Sequence, residues 1–216
     1  MGDDVSTGQN RSQPGVTPNP RGEARRRSIL ATAVELFGAR GFNSVSLADI
    51  AREVGITQAG ILHYYPTKAA LLLAVLQQRE EENLASRLRR EQAGEPPLEA
   101  YVGMLSENDR HPELVQLFVM LSAESTATDH PGHAWFTARN QRTLTGLLAN
   151  VQHTFDERKL PEGVTPEVLA RWIAALSLGL GGQWVNDPCA FDRAGLVGLF
   201  LDLLTPYLRD DASGAR

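Results

Sequence analysis

The chain has 216 residues, of which 42% are hydrophobic and 22% charged, and its formal net charge is −5. These proportions are ordinary for a water-soluble globular protein, and no apolar run approaches the ~20 residues that a membrane-spanning helix needs. The N-terminus lacks the basic and apolar regions of a secretory signal, and the single cysteine, Cys189, suits a reducing compartment. We therefore expect a cytoplasmic protein without a membrane partner.

The chain begins with a stretch that is too polar to fold by itself. Residues 1–20 contain few apolar side chains and are predicted to form a disordered arm, as is the short tail over residues 211–216. The arm either adds contacts to a nucleic acid or is only a solvated tail. A first helix is predicted over about 23–40, because its apolar residues fall at helical spacing.

Two short helices joined by a tight turn are predicted next. Ser46 and Asp49 have the spacing of a capping box, and the residues that follow form one apolar stripe. Gly55 can adopt a positive φ and end this helix, while Thr57 can cap a second helix over about 58–65. Two short helices with glycine at the bend are typical of a helix-turn-helix.

The second of these helices has residues that suit contact with double-stranded DNA. Its first turn carries small or amide-bearing side chains that permit close approach to base edges, and groups nearby can reach the phosphate backbone. From Arg21 to Lys68, seven cationic residues stand against four anionic ones, so this region is basic within an acidic chain. The residues predicted to contact DNA are Arg25, Ser46, Thr57, Gln58, Ala59, Gly60, His63, Tyr64 and Lys68.

A longer motif surrounds this pattern. It comprises an Ala-x-x-Leu-Phe helix, a Gly-aromatic turn, a hydroxyl-capped Ile-Ala helix, a Gly-Ile-Thr turn, an aromatic-rich helix and a Thr-Lys pair. Its residues are Ala33, Leu36, Phe37, Gly41, Phe42, Ser46, Ile50, Ala51, Gly55, Ile56, Thr57, Tyr64, Tyr65, Thr67 and Lys68. From about Arg25 to Leu72 the chain thereby resembles the N-terminal domain of the TetR family of bacterial one-component transcriptional repressors.

The resemblance implies a homodimeric repressor that a small-molecule effector releases from its operator. It implies a DNA-binding domain over residues 21–68, here called the head. It also implies a helical effector-binding and dimerisation domain over residues 69–210, here called the body, with a connector helix over 69–92. The family often has Gly and then Tyr where this chain has Ala59 and Leu62, so the family's operators cannot be transferred to it.

The body is predicted to be helical throughout, which makes the fold class all-α. A long helix runs from Thr67 to about Gln92, apolar at its start and charged after Arg79. Strand alternation is missing from the remainder, where Pro and Gly separate the helical patterns. The predicted helices are about 97–108, 112–127, 133–158, 166–186 and 192–208.

The last two predicted helices are apolar on two faces and therefore need partners on both sides. One partner is the rest of the body, and the other is plausibly the same pair of helices in a second subunit. A single buried pair in a monomer is the alternative. The residues predicted at the dimer interface are Trp172, Leu176, Gly179, Leu180, Gln183, Leu196, Leu199, Phe200 and Leu203.

An effector cavity in the body is implied by the resemblance, and an aromatic and methionine-rich lining is typical of small-ligand pockets. The same residues could equally form an ordinary core. The candidates for effector contact are Tyr101, Met104, Leu105, Asn108, Phe118, Met120, Leu121, Trp135, Arg139 and Trp172.

Other functions are disfavoured by the residues that are present. No nucleophile elbow, phosphate loop or zinc-protease helix occurs, so we expect neither an enzyme nor a cofactor. His130 and His133 lie in a Pro-Gly loop without further ligands, and no metal site is predicted. The main alternative is a DNA-binding protein without an effector, which a fully packed body would favour; an all-α enzyme is the more distant one.

Overall fold

The computed structural model describes residues 20–210, so most of the predicted arm and the whole predicted tail lie outside the described residues. Within this range the chain is helical apart from one isolated bridge between Phe155 and Leu208, and the all-α prediction is confirmed. The α-helices are α1 (Pro20–Arg40), α2 (Leu47–Val54), α3 (Gln58–Tyr64), α4 (Lys68–Gln92), α5 (Pro97–Asp109), α6 (Pro112–Glu124), α7 (His133–Thr154), α8 (Pro166–Trp184) and α9 (Arg193–Asp202). Short 3₁₀ helices occupy Glu157–Lys159 and Thr205–Tyr207.

The helix-turn-helix forms because local side chains satisfy the backbone groups at its helix ends. The Ser46 hydroxyl accepts a hydrogen bond from the Asp49 amide at 3.1 Å, and the Asp49 carboxylate accepts one from the Ser46 amide at 3.0 Å. Gly55 ends α2 with a φ of 74°. Thr57 then caps α3 by accepting a hydrogen bond from the Gly60 amide at 3.0 Å. The predicted capping box and turn are therefore confirmed.

Several predicted helix ends were wrong. Helix α1 begins at Pro20, inside the stretch assigned to the arm, because the fixed φ of proline suits the first helical position. The last helix ends at Asp202 rather than near residue 208, since the Asp202 carbonyl accepts a hydrogen bond from the Thr205 hydroxyl and Pro206 has no N–H to continue the helix. Helices α6, α7 and α8 also end two to four residues early.

The head and the body share one hydrophobic core. Ile29, Phe37 and Ile61 are fully buried in it, and so are Leu117 and Leu121 of α6, which packs along α1. Gly38 makes this approach possible, because a Cβ there would lie 3.0 Å from the Glu113 carbonyl oxygen. The head is consequently joined to the body by burial as well as by the connector helix α4.

A second core lies between α5, α7, α8 and α9 at the far end of the body. Its edge contains a nearly buried guanidinium, Arg193, whose Nε donates to Asp109 at 2.8 Å while the group lies 5.7 Å from the centre of the Trp184 ring. A buried cation needs such a partner, because it has lost its hydration. This pair links the start of α9 to the end of α5.

Phe42 of the head contacts three other parts of the chain through its amide, its carbonyl and its ring. The Phe42 amide donates to Glu124 Oε2 of α6 at 3.2 Å, and the Phe42 carbonyl accepts from Lys68 Nζ at 2.9 Å. The Phe42 ring meets His130 edge-on at 5.1 Å, and the Lys68 ammonium lies 4.2 Å from its centroid. We call Gly41, Phe42, Lys68, Glu124 and His130 the Phe42 corner.

Among the residues that the structure describes, no single helix is long and apolar enough to cross a membrane. The pair α3 and α4 passes a test of length and composition only when the two are taken together across their 53° bend.

Replacing Gly41 by alanine tests the Phe42 corner. Gly41 has a φ of 76°, and a Cβ there would lie 2.5 Å from Glu124 Oε1, so the Glu124 carboxylate must leave the Phe42 amide. Gly55→Ala is the matched control, because its φ of 74° is the same and no atom lies within 4 Å of the added carbon. We expect Gly55→Ala to lower the free energy of unfolding by about 1–2 kcal/mol. Gly41→Ala should lower the free energy of unfolding, measured by urea denaturation, by about 1 kcal/mol more than Gly55→Ala does. Equal losses in the two variants would mean that the hydrogen bond between Glu124 and the Phe42 amide contributes nothing to stability.

The loop after α7 should make stability depend on pH. Hydrogen bonds from the Arg158 side chain, followed by the one from the Arg158 amide, lower the pKa of Asp156 from 3.8 to about 2. A carboxylate whose folded-state pKa is depressed stabilises the fold above its unfolded-state pKa and loses this contribution as the pH falls through the folded-state value. The difference in free energy of unfolding between the wild type and Asp156→Asn should therefore shrink between about pH 4 and pH 2. A difference that is undiminished at pH 2 would contradict this assignment.

Candidate nucleic-acid interface

Helix α3 has one buried side and one exposed side. Ile61 is fully buried against the head core, which turns the opposite side of this two-turn helix to solvent. Gln58, Ala59, Leu62 and His63 are all exposed there. We call these four residues the α3 face, and it is narrow enough to enter a DNA major groove.

The two predicted hydroxyl contacts are both N-caps. Ser46 and Thr57 use their oxygens to accept amide hydrogen bonds from α2 and α3, and Ser46 also donates to Asp49 Oδ2 at 2.5 Å. A hydroxyl group can accept and donate at once, so the Thr57 proton remains suited to a phosphate oxygen. Both residues are exposed.

Tyr64, at the end of α3, and Lys68, at the start of α4, are both half-buried. The Tyr64 ring packs edge-on to His63 with 5.6 Å between centroids. Lys68 donates to the Phe42 carbonyl, so its ammonium is positioned by the Phe42 corner even without DNA. An ammonium group has three donors, which leaves two for a phosphate.

The predicted arginine contact lies where α1 meets the helix-turn-helix. Arg25 Nη1 donates to the Val54 carbonyl at 3.2 Å near the end of α2, and the neighbouring Arg26 lies 6.0 Å from the centre of the Tyr65 ring. Burial raises the pKa of the Tyr65 phenol, while Arg26 opposes that shift. The Tyr65 phenol therefore stays neutral beside the Arg26 guanidinium and does not cancel its positive charge.

Gly60 is half-buried, and a Cβ there would meet Thr57 Oγ1 at 3.3 Å and Ile56 Cβ at 3.6 Å. Its lack of a side chain leaves room for these two groups at the start of α3. Gln58, Ala59 and His63 keep the exposed positions that base contact requires.

The predicted effector residues do not line one cavity. Tyr101, Met104 and Leu105 belong to the second core, whereas Phe118, Leu121 and Trp135 pack into the core shared with the head. The others are also dispersed: Met120 approaches Gly41, Arg139 pairs with Glu80 and stacks on Phe118, Asn108 accepts from Arg79, and Trp172 is 48% exposed at the surface. The exposed Trp172 cannot line an internal cavity of one subunit.

Two clefts open on the surface of the body. One of about 360 Å³ runs along α9 and is lined by residues such as Leu196 and Leu199. The other, of about 260 Å³, lies between α4 and the junction of α5 with α6, and Asn108 is the predicted effector residue that lines it. The aromatic candidates contact one another instead, with 5.0 Å between the ring centroids of Trp135 and Phe136.

The nine predicted dimer residues are all exposed or half-buried. Leu199 and Leu203 are 61% and 75% exposed, whereas Leu180 and Phe200 also pack against the second core. Gly179 and Gly182 of α8 would meet nothing within 4 Å if each carried a Cβ, so the backbone of α8 is open to close approach there. This wide apolar surface of α8 and α9 has no covering element within the described part of the chain.

The histidine loop between α6 and α7 has a structural role. His130 Nδ1 accepts from the Gly132 amide at 3.1 Å, and His133 Nδ1 lies 2.8 Å from the Ser125 carbonyl oxygen. Within residues 20–210, no group of three or more His, Cys, Asp or Glu side chains could hold a metal ion.

Two residues of this region were missed by sequence reasoning. Glu124 of α6 binds the head by accepting a hydrogen bond from the Phe42 amide. No local pattern could have indicated a partner 82 residues away. Leu62 was noted only as a departure from the family, although its position four residues after Gln58 places both side chains on the same side of a helix.

Comparison with known proteins matches this head to a described family. The profile for "Bacterial regulatory proteins, tetR family" matches residues 29–75. The HTH-type transcriptional regulator RutR of Escherichia coli K12 is 32% identical over 100 residues, which cover 45% of this chain and 47% of RutR. The chain therefore spans less than half the length of this curated relative.

Solved structures match over nearly the whole chain. The Pseudomonas aeruginosa protein NalD, the secondary repressor of the MexAB-OprM multidrug efflux pump, is 27% identical with a TM-score of 0.60, covering 88% of this chain and 98% of NalD. A putative transcriptional regulator from Saccharomonospora viridis in complex with choline has a TM-score of 0.67 at 22% identity, covering 87% of this chain and 99% of that one. The helix-turn-helix head therefore matches the DNA-binding domain of the tetR family of bacterial regulatory proteins, and the helical fold of the described chain is shared with NalD.

Proposed function

We propose that this protein is a sequence-specific transcriptional repressor that binds operator DNA as a homodimer and releases it when a small molecule binds the body. The observation that carries the proposal is the exposed α3 face, presented by a capped helix-turn-helix in a basic head. A cytoplasmic location and the absence of enzymatic activity belong to the same proposal.

DNA recognition divides between two sets of groups. Thr57, Tyr64 and Lys68 contact phosphates and fix the register of the head, as hydroxyl, phenol and ammonium groups commonly do. Ser46, whose donors both bind Asp49, supports them by capping α2. Gln58 approaches base edges from the first turn of α3, where an amide can bond both N6 and N7 of adenine. Because α3 has only seven residues, two heads one DNA turn apart are needed for useful affinity.

The Phe42 corner gives the effector a route to the head. A ligand that shifts α6 would move Glu124, and with it the Phe42 amide and the carbonyl that positions Lys68. The effector lowers operator affinity by the ratio of its affinities for the two arrangements, and the operator lowers effector affinity by the same factor. The buried indole N–H of Trp135, which lacks an acceptor, supports a polar ligand group beside α7.

The alternative function is a constitutive DNA-binding protein without an effector. The packing of Phe118, Trp135 and Phe136 on one another favours it, because these rings fill the space that a ligand would take. Screening small molecules for release of the selected operator separates the two functions, since a constitutive protein retains its DNA with every compound.

The DNA-contact proposal predicts two distinct mutant behaviours. The operator is first selected from random duplexes with the wild-type protein. Gln58→Ala should then change base preference at one position of each half-site by about 1–3 kcal/mol, because it removes an amide that bonds base edges. Lys68→Ala should weaken binding to every duplex alike. It should also reduce the slope of log Kd against the logarithm of the salt concentration by about one for each half-site.

Lys159→Ala is the matched control for Lys68→Ala, because Lys159 lies on the 3₁₀ helix after α7, away from the head. It should leave affinity and salt dependence unchanged. An unchanged binding profile in both Gln58→Ala and Lys68→Ala would reject α3 as the recognition helix.

The dimer proposal predicts a change of mass together with a loss of operator binding. Replacing Leu199 and Leu203 with arginine should give a folded monomer in analytical ultracentrifugation, since charges on an apolar interface remain unpaired and lose hydration. Leu84→Arg is the control, because Leu84 is also exposed but lies on α4. A double variant that remains dimeric would place the interface elsewhere.

A further inference from the structure

We infer that Leu62 is a specificity-determining residue that contacts the 5-methyl group of a thymine in the major groove of each operator half-site. This inference rests on the proposed DNA-binding function and adds an apolar contact to the polar groups assigned there. It concerns a side chain of this chain, since the family often has a tyrosine at this position.

The position of Leu62 excludes a role in the core. Its neighbour Ile61 is fully buried, whereas Leu62 is 41% exposed on the outer side of the same helix. No other helix covers the α3 face in this structure, and a two-turn helix has room for only four residues there. A single exposed leucine is ordinary on a protein surface, so what distinguishes Leu62 is its place among the groups proposed to contact bases.

The neighbours of Leu62 indicate what covers it. Gln58 lies one turn earlier on the same side, His63 adjoins it, and the hydroxyl of Thr57 stands at the start of the helix. These are groups that bond base edges and phosphates, and the surrounding head carries an excess of positive charge. Leu62 thus lies between an amide and an imidazole on the exposed face of a basic head, which suits a DNA groove better than an apolar protein partner.

The major groove offers one apolar group to such a side chain. Thymine presents a 5-methyl group there, and apolar side chains contact it, whereas the other edges of the base pairs present donors and acceptors. Leu62 cannot donate a hydrogen bond as a tyrosine would. Its contribution to sequence preference is therefore the exclusion of water from a thymine methyl.

The test uses deoxyuridine, which removes the methyl and leaves every hydrogen-bonding group of the base in place. Each thymine of one half-site in the selected operator is replaced in turn, and Kd is measured for the wild type, Leu62→Ala and Leu84→Ala. Leu84→Ala is the matched control, because it shortens an equally exposed leucine on α4. We expect one replacement to weaken wild-type binding about three- to fivefold, as for the loss of one buried methyl-sized group.

The same replacement should have no effect on Leu62→Ala, whereas Leu84→Ala should behave as the wild type. A second measurement uses Leu62→Gln, for which selection from random duplexes should lose the preference for thymine at that base pair. Wild-type binding that is indifferent to every deoxyuridine would overturn the inference. Equal sensitivity in the wild type and Leu62→Ala would also overturn it and would assign the methyl to another residue, such as Ala59. In both cases operator binding itself persists, so the proposed function stands; a protein that binds no duplex overturns both.

Discussion

A hydrogen bond between the Phe42 amide and Glu124 links the head to the body beside the core that they share. This bond joins a turn of the head to the last residue of α6. Gly41 allows it, because any side chain at that position would displace the carboxylate. The Phe42 carbonyl in turn positions Lys68 at the start of the connector helix. These two hydrogen bonds are the route by which we propose that a movement of α6 reaches the Lys68 ammonium.

A head joined to its body by a continuous core responds differently from one held by a hinge. Leu117 and Leu121 of α6 are fully buried among the side chains of α1 and α4. Packed interiors resist small deformations, so a shift of α6 displaces the head as a unit instead of bending the connector alone. The resemblance implied α4 as the connector helix; in the structure, α6 forms a second connection between head and body.

Recognition by the α3 face is limited by its size. Seven residues in a helix place four side chains outward, and each contacts at most one or two base pairs. Such a surface gives low affinity by itself, which is why we propose that the apolar surface of α8 and α9 serves DNA binding through assembly. The proposed two-fold association would pair the heads and approximately double the free energy of binding.

Sequence alone determined the features that are fixed within a few residues along the chain. The capping box of Ser46 and Asp49, the positive φ of Gly55 and the Thr57 cap each satisfy backbone groups within one helical turn, so their pattern is visible without a structure. The order of the helices, most of their bounds and the exposure of the predicted dimer residues followed from the same local periodicity.

Contacts between distant residues were decided by the tertiary structure. The pairing of Phe42 with Glu124, the early end of α9 and the division of the effector candidates between two cores depend on which helix packs on which, and no local pattern encodes that choice.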